Sequence, residues 1–218
     1  MAVQLNDHFT YKKLFKAVLP SIMMMVFISI YSVVDGLFVS NFVGKTAFAS
    51  VNLIFSVIAI IGAIGFMIGA GGSALVAKTL GEGNKEKANQ YFSMFVALTL
   101  ILGVVVSSVI FIFLPDIAVL LGAEGDMIEH CVTYCRIFLI FKTCFIVQNT
   151  FQSFFVTAEK PQLGLYLSLV SGCLNMILDA LFIVVFDIGV AGAALATGLS
   201  QMVGAVVPFT NIGLIVKS

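Results

Sequence analysis

Residues 163–186 read LGLYLSLVSGCLNMILDALFIVVF, an apolar run interrupted by one amide, Asn175, and one carboxylate, Asp179. A helix needs about 20 consecutive apolar residues to cross a bilayer. A charge at the centre of such a span costs about 2.5 to 3.5 kcal/mol even on the lenient insertion scale, so an intramembrane acid is by default a functional residue. A second acid, Asp35, lies in the same way inside the apolar run at 17–40. The two acids imply a chain that moves something across a membrane and uses protons or cations to drive it.

The remaining sequence supports that class. Of its 218 residues, 61% are hydrophobic and 10% charged, and the mean hydropathy is +1.14. Globular proteins run about 45 to 50% apolar and about 25% charged. The alternating segments of an outer-membrane barrel are missing. The expectation is an all-α polytopic protein, a bundle of six transmembrane helices. Its 11 basic and 11 acidic residues cancel, which removes any bulk attraction to nucleic acid. Cys131, Cys135, Cys144 and Cys173 lie in or beside apolar segments, with no zinc-ribbon or disulfide spacing. Cys131 and Cys135 share a helix face next to His130 and offer a soft-metal reading, against the ordinary behaviour of buried thiols as small hydrophobes. The first apolar run is longer than the roughly 7 to 15 residues of a cleavable signal core.

Along the chain, 1–16 is a polar lead with Lys12, Lys13 and Lys16. The lobe at 17–216 divides into spans at about 17–40, 50–77, 91–114, 130–157, 163–186 and 190–216. Pro20 is expected in the first turn of helix 1, where a missing N–H is tolerated. Residues 41–49 read as a polar turn, and Pro115 as the stop of helix 3. Helix 2 is rich in glycine, and Gly65 and Gly69 have the small-xxx-small spacing that lets backbones approach in lipid. An even number of spans puts both termini on one side. Lys12, Lys13, Lys16, Lys78, Lys85, Lys87, Lys160 and Lys217 fall on that side and only Lys45 on the other, so by the positive-inside rule both termini are cytoplasmic.

Depth follows from a rise of about 1.5 Å per residue. Asp35 comes out roughly 27 Å above the inner end of helix 1, and Asp179 roughly 24 Å up helix 5. Asn175 stacks one turn below Asp179, and Thr197 enters from outside to a similar level. Asp35, Asn175, Asp179 and Thr197 therefore form a candidate cation or proton site. Carboxylate, amide and hydroxyl oxygens suit a hard ion such as Na⁺ (extending the rules for calcium and magnesium), and a carbonyl from 189–192 at the start of helix 6 is a further candidate ligand. Two carboxylates in a low-dielectric cavity do not easily both ionise and are expected to titrate as a unit. The bland alternative is an internal ion pair with Arg136 or Lys142 of helix 4. Gln148, Asn149 and Gln152, polar at membrane depth, are candidate cavity-lining residues. No other cofactor is expected, nor is an intramembrane enzyme, since His8 and His130 lie outside or at the edge of the spans.

VDGLFVS at 34–40 with VG at 43–44 resembles the helix 1 signature of multidrug and toxic compound extrusion (MATE) transporters. GAGGSALV at 69–76 and LGEG at 80–83 resemble the second signature, and Asn175, Asp179 and GAALAT at 192–197 the cation-site segment of the N-terminal lobe. The pattern is most similar to the MepA-like bacterial branch. The resemblance implies a Na⁺- or H⁺-coupled antiporter of the bacterial cytoplasmic membrane that exports bulky, often cationic organic compounds. Asp35, Asn175, Asp179 and Thr197 would be its N-lobe ion site. It also implies two lobes of six helices each, related by an axis along the membrane normal, with the substrate cavity between them. This chain carries one lobe and ends without the basic inter-lobe linker. The expectation is an N-terminal fragment of a longer protein or a half-size chain that pairs with another. Ser40 stands where the family often has glycine. The alternatives are a lipid-linked saccharide flippase, which calls for more cationic residues in the cavity, and a non-transporting membrane assembly subunit, which leaves the acids unexplained.

Overall fold

The computed structural model describes residues 11–158 and 160–210. The first ten residues of the lead, Glu159 and the C-terminal segment 211–218 lie outside the described residues. The described residues form six long helices: α1 Tyr11–Phe38, α2 Lys45–Gly81, α3 Lys85–Leu120, α4 Asp126–Thr157, α5 Pro161–Asp179 and α6 Val190–Thr210. Among the described residues, five spans are long and apolar enough to cross a membrane, and α6 adds a shorter apolar stretch, Val190–Val206. The chain is a multi-pass membrane protein of the all-α class.

The helices overrun the apolar runs, because a helix ends where its backbone is broken rather than where its side chains turn polar. Residues 41–49 are not a turn. Helix 1 runs into a π-helical segment, Val39–Val43, and α2 starts after a single non-helical residue, Gly44. Gly44 has φ +123°, a conformation that side-chain-bearing residues rarely adopt. Residues 78–90, between the second and third expected spans, hold only a short turn, in which Asn84 caps α3, its Oδ1 accepting from the Lys87 N–H at 3.1 Å. Pro20 lies well inside α1, which begins at Tyr11, and Pro115 lies inside α3, which continues to Leu120. Membrane helices tolerate proline in the interior because neighbouring groups satisfy the freed carbonyls again. Pro161, by contrast, opens α5, where its missing N–H costs nothing.

Helix α4 is the hub, packed against α2, α3 and α6, while α1 packs on α5 and α5 on α6. Its contact with α2 is the most extensive. A Cβ at Gly65 would sit 2.7 Å from the Ile146 carbonyl oxygen, and one at Gly69 2.9 Å from that of Thr150. Side chains of α4 also donate to α2 carbonyls along the whole seam. Cys131 reaches Ser50 (3.4 Å), Lys142 reaches Ile58 (3.2 Å), Thr150 reaches Gly65 (3.1 Å) and Thr157 reaches Ser73 (3.4 Å). Partner numbers rise together, so the two helices run parallel. Ile54, Ile58, Leu114, Phe138 and Ile146 fill the core at one end of the seam. Phe92 and Phe154 meet edge-on at 5.0 Å in a second cluster at the other. The outer faces, including Met23 and Met25, expose apolar side chains suited to lipid.

A second π-helical segment, Ala180–Val185, follows Asp179 directly. It packs against the π-helical segment of helix 1, which begins four residues after Asp35. Such segments often mark functional sites.

Candidate functional site

The described helices leave a cavity of about 850 Å³ walled by α1, α2, α4, α5 and α6. Its upper wall holds the residues singled out by depth. Asp35 lies on α1, Asn175 on α5 and Thr197 on α6, and all three line the cavity. Asp179 stands behind them, wholly buried. The Asp35 and Asp179 carboxyl groups are neighbours and interact with each other. The Asn175 amide Nδ2 donates to Thr197 Oγ1 at 3.4 Å. Ser171 Oγ, one turn below Asn175, donates to the Ser200 carbonyl at 2.7 Å and fastens α5 to α6 beneath the site.

Sequence reasoning missed three neighbours. Tyr134 of α4 is 3% exposed, and its hydroxyl interacts with Thr197 within electrostatic reach of both acids. Tyr31, one turn below Asp35, interacts with Gln201. A tyrosine in an apolar run carries no charge signature. The signal was the face itself: Tyr134 is 14 and 18 residues before Gln148 and Gln152, whole numbers of helical turns to within a fraction of a residue.

The polar accounting at this site is lopsided. Among the described residues, Asp35 Oδ1, Asn175 Oδ1 and both Asp179 oxygens are buried acceptors with no hydrogen-bond donor. Buried polar groups are nearly always satisfied, so such a cluster calls for an explanation. Arg136 does not supply it, because its guanidinium sits on the outer side over Phe111 at 5.8 Å. Nor does Lys142, whose ammonium donates to the Ile58 carbonyl and lies 4.1 Å from the Phe145 ring centre and 4.8 Å from that of Phe138. The internal ion pair is therefore not formed among the described residues. The proposed carbonyl of helix 6 is also spoken for at its first position: Gly189 accepts from the N–H groups of Gly192 and Ala193. What remains is a pocket whose unsatisfied groups are carboxylate and amide oxygens beside a hydroxyl, the donor set of a hard monovalent cation or of protons. The soft-metal reading of His130, Cys131 and Cys135 has no support, since no His/Cys/Asp/Glu group that could hold a metal occurs among the described residues and the Cys131 thiol faces the Ser50 carbonyl.

Below this cluster the cavity is aromatic and amide-lined. Phe48, Phe55, Phe138 and Phe145 face it, together with Gln148, Asn149 and Gln152. No lysine or arginine lines it among the described residues.

Comparison with known proteins bears on the whole chain. The MatE family model matches residues 20–181. Multidrug export protein MepA of Staphylococcus saprophyticus is 28% identical over 200 residues, which is 90% of this chain and 44% of that protein. MepA of Staphylococcus aureus (strain MSSA476) is 27% identical over 202 residues, 91% of this chain and 45% of that protein. Among solved structures, an outward-facing multidrug resistance MATE family transporter of the MOP superfamily superposes with a TM-score of 0.86 at 27% identity, covering 92% of this chain and 45% of its own. A MATE structure in complex with MaD3S superposes with a TM-score of 0.84 at 27% identity over the same shares. The chain thus spans about half the length of the curated relatives it matches.

Proposed function

Since the chain belongs to the MatE family, we propose that it is one lobe of a cation-coupled exporter of bulky, often cationic organic compounds, working with a second lobe supplied by a longer protein or by another half-size chain. The observation that carries this reading is the group of buried acceptor oxygens around Asp35 and Asp179 that no donor in the described protein satisfies. Leaving two carboxyl groups in that state costs several kcal/mol unless a proton or cation joins them. Na⁺ or H⁺ settles among Asp35, Asn175, Asp179, Thr197 and Tyr134, which lowers that cost. Occupancy changes the packing of α1 on α5, and the π-helical segments just beyond the two acids take up the change. The substrate leaves the cavity as the ion enters.

The membrane is the bacterial cytoplasmic membrane, with both termini on the cytoplasmic side. A cavity lined, among the described residues, by aromatics and amides and by no lysine or arginine favours amphipathic drugs over lipid-linked saccharides, whose phosphates call for cations. An assembly subunit without transport has no use for the unsatisfied acids. The test is ethidium accumulation in cells that lack their own drug exporters. Expressing the protein should lower accumulation, and Asp35→Asn and Asp179→Asn, inserted at wild-type levels, should not. Normal pumping by both variants under every ion gradient would remove the proposed coupling site.

A further inference from the structure

Arg136 differs from Lys142, the other long basic side chain of α4, in being exposed. It lies about 200° around the helix axis from Tyr134 and Phe138, which line the cavity, and so faces away from it. The side chains around it there suit lipid: Ile140, one turn along α4, is 74% exposed, and Ile112 of α3 is 70% exposed. The guanidinium sits over the ring of Phe111 on α3, 5.8 Å from its centre. That ring face steadies the charge but gives the guanidinium N–H groups no oxygen to bond. Among the described residues they have no hydrogen-bond or ion-pair partner. Phe111 is five residues short of Asp116, the next charged residue of α3, which places the guanidinium roughly 7–8 Å inside the polar edge of the bundle. A guanidinium facing bare hydrocarbon is costly, and a long side chain at this depth reaches the level of the lipid phosphates.

Toward the start of α4 the same face turns acidic. Glu129 is seven residues before Arg136, two turns and roughly 10 Å along the axis, on nearly the same line. It is exposed, and its carboxylate has no partner among the described residues. The face therefore presents a cation at depth and an anion nearer the water. A headgroup with its phosphate below and an ammonium above carries the complementary order. Charge-assisted hydrogen bonds of about 2.8 Å from guanidinium to phosphate and from ammonium to carboxylate, joined by a two-carbon arm, fill the distance between the two side chains. A primary ammonium has N–H groups to donate to Glu129, whereas a quaternary one has none. A headgroup with net negative charge meets Glu129 as a like charge.

We propose that this face of α3 and α4 is a binding site for a zwitterionic phospholipid with a primary ammonium, of the ethanolamine type. Its phosphate takes Arg136, its ammonium takes Glu129, and its acyl chains run along Ile112 and Ile140. With both termini cytoplasmic, the lipid belongs to the outer leaflet. The site lies outside the cavity and does not depend on what the cavity carries. An arginine that only reached for the nearest phosphate would bind every phospholipid alike.

The test is native mass spectrometry of the purified protein, titrated with dioleoyl phospholipids that differ only in headgroup: ethanolamine, choline and glycerol. The ethanolamine lipid should bind about tenfold more tightly than the choline lipid. Glu129→Gln should erase that preference and leave affinity for the choline lipid unchanged. Arg136→Gln should weaken both by about tenfold, since both lose the phosphate contact. Both side chains are exposed, so neither change opens a void in the bundle. Equal binding of the three lipids by the wild type, or tighter binding of the glycerol lipid, overturns the inference. So does an ethanolamine preference that survives Glu129→Gln, or affinities that ignore Arg136→Gln.

Discussion

Gly65→Ala adds a single methyl group where the α2–α4 seam has no room for it. The new Cβ would stand 2.7 Å from the Ile146 carbonyl oxygen, 3.2 Å from Asn149 Cβ and 3.3 Å from Ile146 Cα, whereas ordinary contact begins at 3.4 Å. Two of those atoms belong to the backbone and cannot swing aside, so the helices must part by about 0.7 Å to restore normal separation. That movement stretches the 3.1 Å bond from Thr150 Oγ1 to the Gly65 carbonyl past hydrogen-bonding range. Overpacking a tight interface costs about 1–3 kcal/mol, and an interhelical hydrogen bond in a membrane protein averages about 0.6 kcal/mol. Together the cost is about 1.6–3.6 kcal/mol, equivalent to a melting temperature lower by roughly 3–14 °C for a chain of this size. Because α4 carries Tyr134 and Asn149, dye affinity should fall as well. The control is Gly71→Ala on the same helix, where a Cβ meets nothing within 4 Å. It should not destabilise, and it stands to gain up to about 1 kcal/mol of helix propensity. Thermal unfolding of the two purified variants, followed by a thiol-reactive dye, compares them directly. Equal melting temperatures would refute the close seam.

Other changes follow from the same contacts. Thr150→Val should lose its bonds to the Gly65 and Ile146 carbonyls and destabilise by about 0.6 to 1.7 kcal/mol in the same melting assay. Tyr134→Phe removes the hydroxyl facing Thr197, so the ion's apparent affinity in dye efflux should weaken several-fold, about 0.5–1.5 kcal/mol, with stability nearly unchanged. Asn84→Ala removes the α3 cap and should cost about 1 kcal/mol with no effect on transport, read by melting and dye efflux together.

Much of the fold was legible because hydrocarbon imposes simple rules. Apolar length announces a span, and Gly65 and Gly69 announced where two backbones touch. Depth arithmetic also named side chains from α1, α5 and α6 that the structure brings together, since a straight helix converts residue number into height. The helix ends were not legible, because Lys45 and Lys85 are as helical as the apolar residues after them. Nor were the π-helical segments at Val39–Val43 and Ala180–Val185, which leave no mark on hydrophobic periodicity. Lys142 misled in another way. A buried cation suggests a carboxylate partner, and the chain gives it a carbonyl and two aromatic rings instead.

The central claim is that ion occupancy at Asp35 and Asp179 drives export, and coupled flux in proteoliposomes tests it most directly. Ethidium movement and Na⁺ or H⁺ movement are recorded together after either ion gradient is imposed. The account predicts that one of the two gradients drives the dye, that adding dye accelerates flux of that ion, and that Asp179→Asn abolishes both. Dye transport that persists without any ion gradient, or ion flux indifferent to both dye and Asp179, would contradict it.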